Sequence, residues 1–301
     1  MAIHNEISGN KWKSILLTFC FFILIILVVW AVTFVMAWGI FGVFLALFLA
    51  VILSIGSYYY SDKIVLKISK ARPATKEEHR VLTNLMEGLV IAAQIPMPKL
   101  YVVEDTAPNA FATGRNPNHG VVVVTTGLLQ KLDRNELEGV LAHELSHIRN
   151  YDIRFVTLVT IMVGFTVLLS DFFLRSLFWG SIYGGSNRSS SGGGNSSGYL
   201  MIIGIVLIVL APLIATIIKL AISRKREFLA DASAAHLTRY PEGLARALEK
   251  LDKDKEPLEA ANKATAHLYI TNPLKNNKTW LKGLFATHPP IETRVQKLRA
   301  M

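Results

Sequence analysis

The chain has 301 residues, of which 51% are apolar and 18% charged, with a formal net charge of +10. It is too apolar for a disordered chain and too poor in charge for an ordinary soluble enzyme, where about 25% of residues are charged. Its single cysteine, Cys20, excludes a disulfide framework and a multi-thiolate metal site, so any metal would rest on histidine and carboxylate.

Residues 1–14 form a polar tail, and from Ser14 to Ser61 there is no Asp, Glu, Lys, Arg or His. About 20 apolar helical residues cross a hydrocarbon core of about 30 Å, so this run accommodates two crossings. Trp38-Gly39 and Gly42 mark a turn between spans of roughly 15–36 and 40–60. A signal peptide is the competing reading, given Lys11 and Lys13, but its apolar region would be only about 7 to 15 residues long. A retained transmembrane hairpin over 15–61 is the expectation.

Residues 62–153 read as the first half of an α/β domain. Glu77–Gln94 has helical spacing, with Val81, Leu82, Leu85, Leu89 and Ala92 on one side. Leu100–Glu104, Asn109–Thr113 and Val121–Thr125 read as strands, the last well buried, with a Gly/Asn/Pro turn between the second and third. Asp133 and Glu136 have capping-box spacing and start a helix running through His147 toward the next apolar segment.

That helix carries His143-Glu144-Leu145-Ser146-His147, an H-E-x-x-H pattern. Residues four apart lie one above the other on a helix, so both imidazoles can reach one ion. Glu144, about 100° round from His143, can meet a water on that ion and act as base. Zinc suits imidazole nitrogen, and a catalytic site adds a third protein ligand while keeping a position open. The bland alternative is a pair of surface histidines and a salt-bridging glutamate. Apolar Val140, Leu141, Leu145 and Ile148 argue against a simple solvated face.

Phe155–Ser170 is a third apolar segment and Tyr199–Ile218 a fourth, joined by a Ser/Gly-rich connector, so that 154–220 reads as a second hairpin. The connector holds only Arg175 and Arg188, whereas Lys63, Lys67, Lys70 and Arg72 follow the first hairpin and Lys219, Arg224, Lys225 and Arg226 the second. By the positive-inside rule both termini and both polar regions are cytoplasmic. The basic balance fits an anionic leaflet; no binding module or aromatic-interleaved basic run points to nucleic acid.

Residues 221–301 form the second half of the domain. Glu227 and Asp231 share a helical face, so one carboxylate can complete the metal site while the other holds a ligand imidazole through its second nitrogen. Pairing with the preceding basic cluster is the other reading, and further carboxylates, Asp152 among them, stay open as ligands.

Gly139–Asp152, Arg226–Asp231, Asn109–Gly114 and the tail Thr287-His288-Pro289-Pro290 together resemble the HtpX family of bacterial heat-shock-associated membrane zinc metalloproteases, related to the CAAX prenyl proteases. The resemblance spans nearly the whole chain. It implies His143, His147 and Glu227 as ligands of one Zn2+, Glu144 as base and Asp231 as support. It also implies that Asn109, Ala110 and Phe111 form an edge strand pairing with extended substrate, as open strand edges do. His288 and Arg294, six apart as in relatives of the family, would polarise the scissile carbonyl, although His288 before two prolines could instead cap the last helix.

The expected fold is a membrane α-helical part of four transmembrane helices plus a cytoplasmic α/β zincin-type metalloprotease domain, split around the second hairpin. The implied activity is zinc-dependent endoproteolysis of misfolded membrane proteins or peptides at the inner membrane, in quality control and the heat-shock response. A catalytically inactive scaffold of the same fold is the alternative. A transporter is weaker, because the polar halves are large. Lipid bilayer and protein substrates are the expected partners, and the sequence leaves the oligomeric state open.

Overall fold

The computed structural model describes residues 2–35, 39–165, 224–261, 265–271, 273 and 289–301. The fourth apolar segment, the Ser/Gly connector, the end of the third segment and His288 lie outside the described residues.

Two long helices come first. The α1 helix, Ala2–Val35, includes the expected polar tail, and α2, Gly39–Tyr59, takes in Gly42 rather than turning there. The break falls just before Gly39, whose φ of +54° is left-handed and costs glycine little. Residues 152–165 form a further helix, α7 in chain order, whose Phe155, Leu158, Val159, Met162 and Val163 pack with Leu17, Phe21 and Ile25 of α1 and Ala50 of α2. Much of the rest of α2 is apolar and outward-facing, with Phe44 66% and Phe48 61% exposed.

After the short α3, Ser61–Ile68, the chain builds a four-stranded sheet. Its strands are β1 (Arg72–Pro73), β2 (Lys99–Val103), β3 (Ala110–Thr113) and β4 (Val121–Thr125), in the order β1-β2-β4-β3. The β2 and β4 strands are parallel, and the outer pairs antiparallel. The Val run of β4 is buried on both faces. Val122 and Val124 join the core with Leu100 and Val102, whereas Val121 and Val123 join a second cluster with Val65, Leu66, Phe111 and Tyr269. Strand alternation thus loads both sides of one sheet.

The first of these cores is roofed by helices. The α4 helix, Lys76–Ala93, begins with a capping box of Thr75 and Glu78 and ends at Gln94 in the left-handed region. After the short α5, Thr126–Lys131, α6 (Arg134–Arg149) has the expected box, Asp133 accepting from the Asn135 and Glu136 amides while Glu136 accepts from Asp133 N–H. It packs against α8 (Arg224–Thr238) and α9 (Pro241–Lys253), with α10 (Ile291–Arg299) on α9. At Gly139 α6 and α9 approach closely: a Cβ there would lie 2.6 Å from Leu244 N.

The motif helix runs through His147 as expected and stops short of the third apolar segment. It ends at Arg149, and Tyr151 at φ +61° turns the chain before α7 begins at residue 152.

Candidate metal centre

His143 and His147 lie one turn apart on α6, with ring centroids 4.8 Å apart and planes at 90°. Their Nε2 atoms face one another at 3.2 Å. Glu227, from the first turn of α8, closes the triangle: its Oε2 is 3.7 Å from His143 Nε2 and its Oε1 3.7 Å from His147 Nε2. All three ligand atoms thus lie within 4.8 Å of one another.

The outer nitrogens explain this orientation. His147 Nδ1 is 3.0 Å from Asp152 Oδ2, and His143 Nδ1 is 3.0 Å from Asp231 Oδ1, the latter off the ideal hydrogen-bond line, so its ion-pair character dominates. A carboxylate on Nδ1 favours the proton there and bares Nε2. Two Nε2 atoms and a carboxylate then converge, a set that fits a cation. Here the donor chemistry, two imidazoles and one carboxylate, is that of a catalytic site with a position left open.

Electrostatics point the same way. Burial pushes the His143 imidazole toward its neutral form, but Asp231 and Glu227 outweigh this and raise its pKa to about 9. Burial likewise opposes charge on His147, with Asp152 and Glu227 raising its pKa. Carboxylates that draw a proton to these nitrogens draw a metal ion by the same attraction.

Behind His143 stands Arg294 of α10, fully buried. It donates from Nε to Asp231 Oδ2 at 2.8 Å and from Nη2 to Asp231 Oδ1 at 2.7 Å. Burial alone would raise the Asp231 carboxyl; Arg294 and then His143 pull it down to about 2. The same guanidinium lies 3.4 Å from His143 Nε2 and 3.9 Å from Glu227 Oε2, and Nη1 donates to Ile270 O at 3.3 Å. Glu144 is buried beside the two histidines, 2% exposed.

The pattern of peptidase family M48 matches residues 75–301. The chain belongs to peptidase family M48. This M48 chain is 49% identical over 300 residues to "Protease HtpX homolog" of Dictyoglomus thermophilum, covering 100% of this chain and 95% of that protein. It is 44% identical over 309 residues to "Protease HtpX homolog" of Listeria monocytogenes, covering 99% and 100%. Its fold is similar to that in the crystal structure of S. mikatae Ste24p, with a TM-score of 0.50 and 24% identity over 98% of this chain and 66% of that one. As an M48 peptidase the chain is a metalloprotease acting on protein substrates.

The structure brings His143, Glu144, His147, Glu227, Asp231 and Arg294 together. Ala110 and Phe111 begin the sheet-edge strand β3, with Asn109 immediately before it, and this strand packs on α6. Sequence reading named Asp152 only as an open alternative ligand, whereas the structure sets it on the far nitrogen of His147. Arg226, next to Glu227, lies 3.9 Å from Asp152 and stacks over Phe155 at 5.3 Å. The acid five positions after His147 was visible; the turn at Tyr151 that folds it back was not.

Proposed function

We propose that the protein is a membrane-anchored zinc endopeptidase that cuts misfolded membrane proteins at the cytoplasmic surface. The convergence of His143, His147 and Glu227, with both outer nitrogens held by carboxylates, is the observation that carries this reading. Zinc is favoured because imidazole with one carboxylate is its common catalytic donor set. When bound, the ion supplies Lewis acidity to a water and to the scissile carbonyl.

The chain's own residues do the rest. Glu144, one position from His143, takes the proton of the attacking water and passes it to the leaving nitrogen. Asp231 and Asp152 hold the imidazoles to one tautomer and orientation. Arg294 fixes Asp231 and presents N–H groups beside the ligands, where they can stabilise a developing oxyanion. By its six-residue spacing from Arg294, His288 is assigned a share in polarising that carbonyl. The edge of the strand beginning at Ala110 is where an extended substrate would pair through its backbone, which suits a protease with tolerant side-chain preference.

Membrane anchoring is supported by α2, which is 21 residues long with mean hydropathy 2.6 and is the one helix among the described residues long and apolar enough to cross a membrane. At its end Tyr58 and Tyr59 stack with Arg154 and Arg115 at 5.2 and 5.0 Å, and Tyr60 with Lys63 at 5.2 Å. Aromatic rings paired with cations suit a membrane–water boundary. Four spans, with the protease domain split around the second hairpin and both termini cytoplasmic, complete the proposal.

The test is cleavage of an unfolded membrane protein by purified full-length protein in detergent, with metal content measured in parallel. Wild type should contain about one zinc per chain and cleave; chelation should abolish cleavage and zinc restore it. A metal-bound protein that cleaves equally well after Glu144→Gln would overturn the assigned chemistry. A protein that binds zinc but cleaves nothing would favour the scaffold reading.

A further inference from the structure

The edge of β3 is covered in this structure. Ile270 N–H donates to Ala110 O at 3.0 Å, the contact an added strand would make. Asn109 grips the next residue twice, donating from Nδ2 to Thr271 O at 3.1 Å and accepting from Thr271 N–H at 3.4 Å. The same Asn109 Oδ1 accepts from Ala110 N–H, so both main-chain groups of Ala110 are taken from within the chain.

Side chains follow the same logic. Tyr269 lies edge-on to Phe111, with centroids 5.0 Å apart, in the cluster on one face of the sheet, whereas Ile270 joins the core on the other face. Successive residues thus point to opposite faces, as in a strand. Finally, the Ile270 carbonyl accepts from Arg294 Nη1, and that guanidinium also borders His143 Nε2 and Glu227. The segment therefore presents a backbone carbonyl to the arginine proposed to stabilise a scissile one.

We infer that residues 269–271 occupy the substrate edge of β3 as a ligand built into the chain, which an extended substrate segment must displace. The inference rests on the metallopeptidase reading and on β3 as the substrate edge. Leu268 and Tyr269 are rooted among Val65, Leu66 and Val123, so displacement would peel Ile270 and Thr271 away from a fixed base. By strand alternation Ala112 turns its main chain the same way as Ala110, which gives a substrate a place to begin pairing before it reaches the covered position. Only segments able to form extended main-chain hydrogen bonds would compete, so folded proteins are spared and unfolded ones admitted.

The test uses the full chain in detergent. Ile270→Pro removes the N–H donated to Ala110. The expected result is a KM for an unstructured fluorogenic peptide lowered about five-fold, the equivalent of one hydrogen bond, with kcat unchanged. A well-folded Ile270→Pro protein with unchanged or raised KM would overturn the inference, since the segment would then be a fixed wall.

A second measurement does not depend on that variant folding or on cleavage. A synthetic peptide with the sequence of residues 265–271 is added to Glu144→Gln protein, and amide hydrogen exchange is followed. Faster exchange at Ile270 and Thr271 on saturation supports displacement; bound peptide with unchanged exchange, or no binding at any concentration, refutes it. If the exchange changes but wild type cleaves nothing, the covered edge stands and the peptidase reading falls.

Discussion

Arg294 and Asp231, 63 positions apart in the chain, form a bidentate ion pair at 2.7 and 2.8 Å, with both groups buried. Through it α10, at the end of the chain, reaches the orientation of His143 on α6. Arg294→Lys keeps the charge but not the planar fork. It should weaken metal affinity by about 10–100-fold, the usual effect of losing a partner behind a ligand. Competition with a chromogenic chelator measures this; unchanged affinity would mean that Asp231 holds His143 unaided.

Glu144→Gln should leave metal stoichiometry intact and lower kcat by about 100- to 10,000-fold, the range for losing a positioned general base. Metal content and single-turnover cleavage, measured on the same preparation, separate a lost base from a lost site.

Gly139→Ala should destabilise the domain by about 1–3 kcal/mol, because its Cβ would fall 2.6 Å from Leu244 N and 2.9 Å from Leu244 Cα, both backbone atoms. Gly88→Ala in α4 is the control. A Cβ there meets nothing within 4 Å, so better helix propensity should leave stability unchanged or raise it by up to about 1 kcal/mol. Thermal unfolding of the two variants should move in opposite directions or differ plainly in size.

Glu78 links the start of α4 to β1 through Arg72, at 2.7 and 2.8 Å, and its pKa is lowered from 4.5 to about 2, chiefly by that hydrogen-bonded pair. A depressed carboxyl stabilises the fold above its unfolded pKa, and the benefit disappears as pH falls through the folded one. Wild type should therefore exceed Glu78→Gln by about 1 kcal/mol near neutrality, with the gap closing between about pH 4.5 and 2. Glutamine can still close the capping box, so only the charge is removed. Denaturant midpoints across that pH range check it; a constant gap would rule out the ion pair as the cause.

Local patterns were the legible part of this sequence. The capping box at Asp133 and Glu136, the valines of β4 and the H-E-x-x-H spacing all act over fewer than about five residues, where backbone geometry leaves few options. The pairing of Glu227 and Asp231 on one helical face was visible too; spacing left open which acid would face a metal, and only the resemblance singled out Glu227. That choice depends on how α8 lies against α6, and on Arg294 claiming both oxygens of Asp231. The cover on Ala110 could not be read at all. Thr265–Thr271 has no regular period, and its place is set by tertiary contacts with Asn109, Phe111 and Arg294. The turn at Tyr151 was hidden as well, since tyrosine does not advertise a left-handed φ.

That turn sets a distance. His147 precedes Asp152 by five positions, and α7 starts there, locked against α1 and α2. Helical residues advance about 1.5 Å each, so the ligands stand within roughly a turn or two of the apolar bundle. Covalent length, not docking, thus fixes how far the candidate metal site stands from the apolar bundle and, on the proposed reading with that bundle in the bilayer, how far a bond must rise before it can be cut. A few extruded residues, at about 3.3 Å each when extended, would carry a segment into range, and the molecule would work as a ruler for membrane proteins that have slipped partway out.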